Sequence, residues 1–326
     1  MGKRICRAKA NTVVALLLLL VFAGLGSLWI SHRPSSPSDY AEDALAILAN
    51  GYYAQGEDWD NAKANVLDSV SEAESIEELY VPLIEATRVA GGKHSSFQTP
   101  EKALEFQNQS AERFELPKVT TNTGVTVVSI PMISSASAEE ETAYVNEAAF
   151  GIDNASAQTC GWVVDLRGNR GGNMWPMLAA VSPLLPNGPA MAFVTSDGQS
   201  SSVAIDGAAT ALNGEVLSEG PDVKKVIDTP IAVLQDKDTA SSGEAVLLAF
   251  KDLPKVRTFG EASAGYSSAN SVYTLADGAQ IVLTEATYAD RSGNNTEGVP
   301  LEPDVASSPS LTFDVAVEWL SDEGCP

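Results

Sequence analysis

The first pattern along the chain is an uncharged apolar run from Val13 to Ile30, preceded by Lys3, Arg4, Arg7 and Lys9. At about 1.5 Å per residue, the run comes close to the roughly 30 Å of a bilayer's hydrocarbon core. The basic flank belongs in the cytoplasm, so the pattern predicts a single-pass transmembrane helix with everything after it outside the cell membrane. A cleaved signal peptide is the alternative, but no convincing Ala-x-Ala site follows the run. Residues 32–38 form a polar Pro/Ser spacer. Helical spacing then governs Asp39 to about Ala90. Ala41, Ala44, Leu45 and Leu48 share one face, and Ser75-Ile76-Glu77-Glu78 has the capping-box form ahead of Leu79, Leu83 and Ile84. Pro82 predicts a kink in that last helix. Gly91-Gly92 ends it and delivers Lys93-His94-Ser95-Ser96-Phe97 as an exposed turn.

Beyond Gly92 the period changes. Residues 100–116 read as a helix or a loop of helical character. Val119 to Ile133 alternates and is rich in β-branched residues, which predicts a hairpin around Thr121-Asn122-Thr123-Gly124. A helix is expected over Glu139–Asp153 and a buried strand over Gly161–Leu166. The turn Arg167–Gly172 and a helix from Met174 to about Leu185 come next. Strand, glycine-rich turn and helix recur at Ala190–Val194, at Ile231–Phe250 and after Val256, with a strand over Gln280–Thr287 and a turn-rich loop over Asp290–Asp304. This alternation predicts an α/β fold. The chain divides into a cytoplasmic flank and anchor (1–31), a linker (32–38), an N-terminal helical segment (39–92) and a core (93–326).

Charge narrows the partners. Of 20 basic and 43 acidic residues, four basic and no acidic ones precede position 31, so the external part carries 16 against 43, a net of −27. Such a surface repels nucleic acid and favours cationic ligands, a basic peptide among them. The same acidity also serves solubility alone. Of the three cysteines, Cys160 and Cys325 both lie on the external side, where a disulfide is permitted, and Cys160 reads equally as a buried free thiol. No Cys/His cluster has metal-ligand spacing, so neither a metal nor a cofactor is expected.

The chemistry concentrates at Asp238-Thr239-Ala240-Ser241-Ser242-Gly243-Glu244. This places Ser241 at a turn between an apolar strand and an apolar helix, where free helix N–H groups favour developing negative charge. Helix capping is the plainer reading of the same serines. A nucleophilic serine needs a base. Only His32 and His94 are available as histidines, and His32 sits in the linker, which leaves His94. Lys251 lies too far along the helix, and Lys237 more naturally faces solvent. Oxyanion donors are expected from the Ser242 N–H and from the Gly171-Gly172 turn. Asp165–Gly172 fits neither phosphate-binding glycine pattern, and Asp165 with Arg167 is expected to pair internally. Glu244 is either a second carboxylate at the substrate or an acid favoured in a helix's first turn. Asn173 and Met174 are expected to line a peptide-binding cleft, with core packing as the alternative for Met174.

Asp165-Leu166-Arg167-Gly168-Asn169-Arg170-Gly171-Gly172 and Thr239-Ala240-Ser241-Ser242-Gly243-Glu244, about 70 residues apart, together resemble the C-terminal processing (tail-specific) serine peptidases of family S41 over roughly residues 79–305. The resemblance implies a crotonase-like core of spiral ββα units. Tyr266 stands where the Ser/Lys branch has its lysine, and residues 97–119 are too few for that branch's PDZ domain. The histidine-using, membrane-anchored nisin-resistance branch fits better, on Gly91-Gly92-Lys93-His94-Ser95, Gly171-Gly172-Asn173-Met174, Glu297-Gly298-Val299-Pro300 and Pro303-Asp304. By that resemblance Ser241 is the nucleophile, His94 the base and Glu297 a glutamate that orients the base. The expected function is an extracellular, membrane-anchored serine endopeptidase that cleaves small cationic peptides near the C-terminus, such as lantibiotics. A general envelope protease trimming C-terminal tails and a non-catalytic peptide-binding immunity protein are the alternatives.

Overall fold

The computed structural model describes residues 36–296 and 298–325. The anchor expected over residues 13–30 therefore lies outside the described residues, as does Glu297. Among the described residues no helix is long and apolar enough to cross a membrane.

Three helices come first: α1 (Pro37–Leu48), α2 (Gly56–Val70) and α3 (Tyr80–Gly91). Ser36 caps α1 by accepting the Asp39 N–H at 3.2 Å, and Pro37 sits where a helix needs no N–H. Tyr40, Ala41, Ala44, Leu45 and Leu48 are buried as their spacing predicts, against Trp59, Val66, Leu79, Leu83 and Ala86. Two details differ from expectation. Pro82 is the third residue of α3, where the N–H has no intrahelical acceptor, so α3 runs through it without interruption. Ser75 does not cap. Glu77–Leu79 form a 3₁₀ turn, and the Glu78 carboxylate instead accepts the Glu74 N–H at 3.0 Å.

The core follows as β1 (Ser96–Gln98), α4 (Pro100–Glu112), the hairpin β2 (Lys118–Asn122) and β3 (Val125–Ser129), α5 (Ala138–Ala155), β4 (Gly161–Asp165) and α6 (Met174–Val181). The hairpin turns through Thr123 and Gly124, both at positive φ (44° and 84°), the conformation that matches strand twist in a two-residue loop. Next are β5 (Gly188–Thr195), β6 (Ser200–Asp206), β7 (Ala209–Leu212) and β8 (Glu215–Glu219), then β9 (Ile231–Gln235), α7 (Ser242–Phe250) and β10 (Val256–Gly260). The described chain closes with β11 (Ser268–Thr274), β12 (Gln280–Ala289), β13 (Val305–Ala306) and α8 (Thr312–Asp322).

These strands form two sheets. One has the order β13-β10-β9-β4-β3-β2, with every neighbour parallel except the β2–β3 hairpin. Its central strands are apolar without alternation, as a sheet covered on both faces requires. Helices α5, α6 and α7 pack on one face around Trp162, Val164 and Val233, and α8 covers the other through Trp319 and Leu320 against Phe259. The second sheet is antiparallel, in the order β1-β12-β5-β6-β7-β8, with β11 also on β12. The expected βα alternation holds for β3 to β10. The β5–β8 meander interrupts it, at turns marked by Asp206-Gly207 and Asn213-Gly214.

Cys160, just before β4, and Cys325, just after α8, are disulfide-bonded with Cα atoms 5.4 Å apart. The bond closes a segment with a sequence separation of 165, for which chain-entropy reasoning allows at most about 5 kcal/mol. Reduction, or Cys160→Ser, is expected to lower unfolding free energy by about 2–5 kcal/mol in a denaturant titration. An unchanged midpoint under reductant contradicts this.

Candidate active site

Parallel sheets gather their functional loops beyond the carboxyl ends of the strands. Here the turn after β4 (Arg167–Gly172) and the turn after β9 (Asp236–Ser241) meet there. Their junction is close-packed. Asn169 is buried, donates from Nδ2 to the Ile130 carbonyl at 2.8 Å, and accepts the Gly171 N–H at 2.9 Å on its side-chain oxygen. Its own carbonyl accepts the Ala240 N–H at 2.9 Å. A Cβ on Gly171 would lie 2.7 Å from the Ser241 Cβ, at a φ of +103°, so glycine is required where the two turns cross. Asp165 and Arg167 pair internally through two bonds of 2.8 and 2.7 Å, as expected.

Ser241 is held at φ 53°, ψ −118°, a backbone state that costs a non-glycine residue on the order of 1–3 kcal/mol. Its surroundings over-determine it. The Ser241 N–H donates to Glu244 Oε2 at 2.9 Å, and the same carboxylate accepts the Gly265 N–H (2.9 Å), the Tyr266 N–H (2.8 Å) and the Ser263 hydroxyl. Glu244 is wholly inaccessible to solvent. Burial raises its carboxyl above the ordinary range, while the four donors act in the opposite direction. Its carboxylate faces the interior and not a cleft, so of the two expectations for Glu244 the structure favours the helix-first-turn acid over the carboxylate at a substrate, and Glu244 holds the Ser241 turn.

The two other substrate-lining expectations are corrected as well. Asn173 spends its side chain capping α6, accepting the Trp175 N–H at 3.1 Å and donating to Glu141 at 2.7 Å. Met174 is buried in the main core. Of the three expected oxyanion donors, Gly171 has already given its N–H to Asn169. Among the described residues, the N–H groups of Gly172 and Ser242 have no acceptor, and Gly172 is exposed. The Ser242 hydroxyl donates to the Gly172 carbonyl and ties these two residues together.

His94 ends a 3₁₀ turn that starts at Gly92, itself at φ +71°. The Asn270 side chain donates to the His94 carbonyl at 3.0 Å and accepts the Thr284 hydroxyl at 2.7 Å, so the turn is fixed to β11 and β12. The Nδ1 atom lies 2.7 Å from the Ser268 hydroxyl. Tyr266 meets the imidazole edge-on at a centroid distance of 5.0 Å, and the Lys93 ammonium lies 4.9 Å from the centre of the same phenol ring. Burial, and secondarily the Lys93 charge, lower the imidazole pKa to about 4. At neutral pH the ring is therefore the free base.

Ser241 and His94 thus converge on one stretch of backbone. The first reaches it because Glu244 binds the N–H groups of both Ser241 and Tyr266, the second through the Tyr266 ring and Ser268. Among the described residues no hydrogen bond joins the two directly, and catalytic pairs in ligand-free sites are often long. Tyr288, from β12, is buried beside the Ser241 side chain; burial and, after it, the Glu244 charge lift its phenol above its ordinary range. Sequence reasoning missed Asn169, Ser268, Asn270 and Tyr288. For Asn169 the signal was present, a buried-type asparagine within a glycine-rich turn.

A strained serine at a helix start, two free backbone donors beside it and a neutral imidazole on the same segment have the chemistry of a serine hydrolase. Residues 124–307 match peptidase family S41, more than half of the chain, and the chain belongs to that family. It is 32% identical over 316 residues to the nisin-resistance protein of Lactococcus lactis subsp. lactis, covering 93% of this chain and 94% of that one. A lipoprotein from Streptococcus agalactiae has a structure matching at a TM-score of 0.77 and 27% identity, over 90% of this chain and 98% of that chain. The photosystem II D1 C-terminal processing protease shares the fold, with a TM-score of 0.58 at 15% identity over 90% and 99% of the two chains.

Gly171→Ala is expected to push the Ser241 turn out of place. Peptidase kcat/KM should fall about 100-fold, and stability by more than about 1 kcal/mol. Wild-type kinetics from this variant would contradict the packing described for the junction.

Proposed function

We propose that the protein is a membrane-anchored serine endopeptidase acting outside the cytoplasm, and that it cuts small cationic peptides of the lantibiotic kind near their C-termini. The full-length similarity to a protein named for nisin resistance supports the substrate class, and the net charge of −27 that follows the apolar run suits a cationic ligand. The apolar run at Val13–Ile30 with its basic flank supports the anchor.

In this reading the Ser241 hydroxyl attacks the scissile carbonyl while His94 removes its proton through Nε2. The N–H groups of Ser242 and Gly172 stabilise the oxyanion, and the imidazolium then protonates the leaving amine. Water reverses the sequence to free the acyl group from Ser241. The Tyr288 phenol steadies the attacking hydroxyl, and Glu244 holds the backbone from which it projects. One observation carries the reading: the strained Ser241 and the neutral His94 are tied to the same residue, Tyr266, one through Glu244 and the other by ring contact.

Mass spectrometry of nisin incubated with the full chain, and with Ser241→Ala and His94→Ala, tests this. The expected result is a C-terminally shortened product from the wild type and none from either variant. Equal cutting of linear C-terminal tails would favour a general tail-processing protease, and protection of host cells surviving in Ser241→Ala would favour a binding protein. The pH profile is a second check. As pH falls through about 4, His94 takes up a proton and ceases to be a base, so the acidic limb of kcat/KM should lie near pH 4. A limb near the ordinary histidine value of about 6.5 contradicts the burial argument.

A further inference from the structure

A histidine that acts as a base through one ring nitrogen needs the other nitrogen held, so that the correct tautomer and ring angle persist. In the familiar triads a carboxylate does this. Here the Nδ1 atom of His94 already has a partner, and it is a hydroxyl, Ser268 Oγ at 2.7 Å. Ser268 is itself well fixed. It is buried at 8% exposure, its N–H donates to the Tyr266 carbonyl at 2.8 Å, and as the first residue of β11 it pairs with Thr287 of β12. Tyr266 packs against the ring, and Asn270 fixes the backbone from which it projects.

No described carboxylate competes for this position. Glu244, bound to the backbone of the neighbouring Tyr266, has its oxygens occupied by four donors. The charged and titratable described groups that line the cavity with His94 are Lys93 from its own turn, Tyr53 from the segment between α1 and α2, and Tyr266.

We propose that Ser268 is the positioning residue for His94: its oxygen accepts the Nδ1–H, keeps Nε2 unprotonated and aims it as the base, in the role a carboxylate fills in other serine hydrolases. The inference rests on the assignment of His94 as base and deepens it. A neutral partner orients the ring without stabilising the imidazolium, so the free base persists to low pH, in accord with the downward displacement produced by burial and Lys93.

Nitrogen-15 NMR of the full chain labelled at histidine reads the tautomer directly, and the chain has only two histidines to assign. At pH 7, His94 is expected to show a protonated Nδ1 and an unprotonated Nε2. The reverse tautomer overturns the proposal. Kinetics supply the second arm. Ser268→Ala should lower kcat about tenfold, the scale of one lost hydrogen bond, with KM changed less than about twofold. Ser268→Thr should restore it. Ser268→Asp should move the acidic limb upward by about a pH unit or more, because a carboxylate favours the charged ring. A kcat and pH profile unaltered in Ser268→Ala and Ser268→Asp overturns the role even if Ser241→Ala and His94→Ala are inactive. Should Ser268→Ala not fold, the wild-type tautomer and Ser268→Thr kinetics still decide. Activity persisting in His94→Ala would instead sink the assignment of the base, a separate failure that the NMR result does not share.

Discussion

One buried carboxylate organises this molecule's chemistry. Glu244 has no contact with solvent, yet it accepts hydrogen bonds from the backbone of Ser241, Gly265 and Tyr266 and from the Ser263 hydroxyl. Removing a charge from water is costly unless its hydrogen-bonding capacity is met, and here four donors meet it. In return, the Ser241 turn and the segment leading into β11 are locked together. The unfavourable φ of Ser241 persists within that lock, where its N–H donates to Glu244.

The rest of the site is arranged around this lock by sheet register. Parallel pairing of β4 with β9 sets Asp165 opposite Leu234, which brings the glycine turn and the serine turn side by side. Antiparallel pairing of β1 with β12 delivers the His94 turn to β11 and β12. The helical segment that carries His94 has its own anchor. The phenols of Tyr40 and Tyr80 both donate to Asp277, at 3.1 and 2.7 Å, in the turn between β11 and β12. His94 is therefore positioned in part by tertiary contacts of the N-terminal helices, which belong to the same packed frame as the candidate site.

Much of this was legible in the chain. Helical spacing in Ala41 to Leu48, the hairpin at Thr123-Gly124, the apolar strands at Gly161 and Ile231 and the two glycine- and serine-bearing turns follow from local rules that the structure obeys. The candidate residues Ser241, His94, Gly171 and Gly172 lie at such turns, where composition is most constrained. The errors share one cause. Asn173, Met174 and Glu244 sit next to the site in sequence, and only packing decides whether a side chain faces the cleft or the interior. The α6 cap, the main core and the four donors decided against the cleft. Ser268, Asn270 and Tyr288 come from strands β11 and β12, whose contribution depends on pairings that alternation cannot specify. Of the meander, β5 was expected at Ala190–Val194, whereas β6 to β8 were missed because they are separated by tight turns that read as loops and their pairing is not specified by local pattern.

The central claim is that Ser241 is a nucleophile activated by His94 on a frame set by Glu244. Covalent labelling with a fluorophosphonate reagent, followed by peptide mapping, measures it most directly. The account predicts a single adduct on Ser241, formed at a rate that collapses in His94→Ala and in Glu244→Ala while the folded state persists by circular dichroism. An adduct on another residue, or wild-type labelling of Ser241 in the absence of the imidazole, would contradict it.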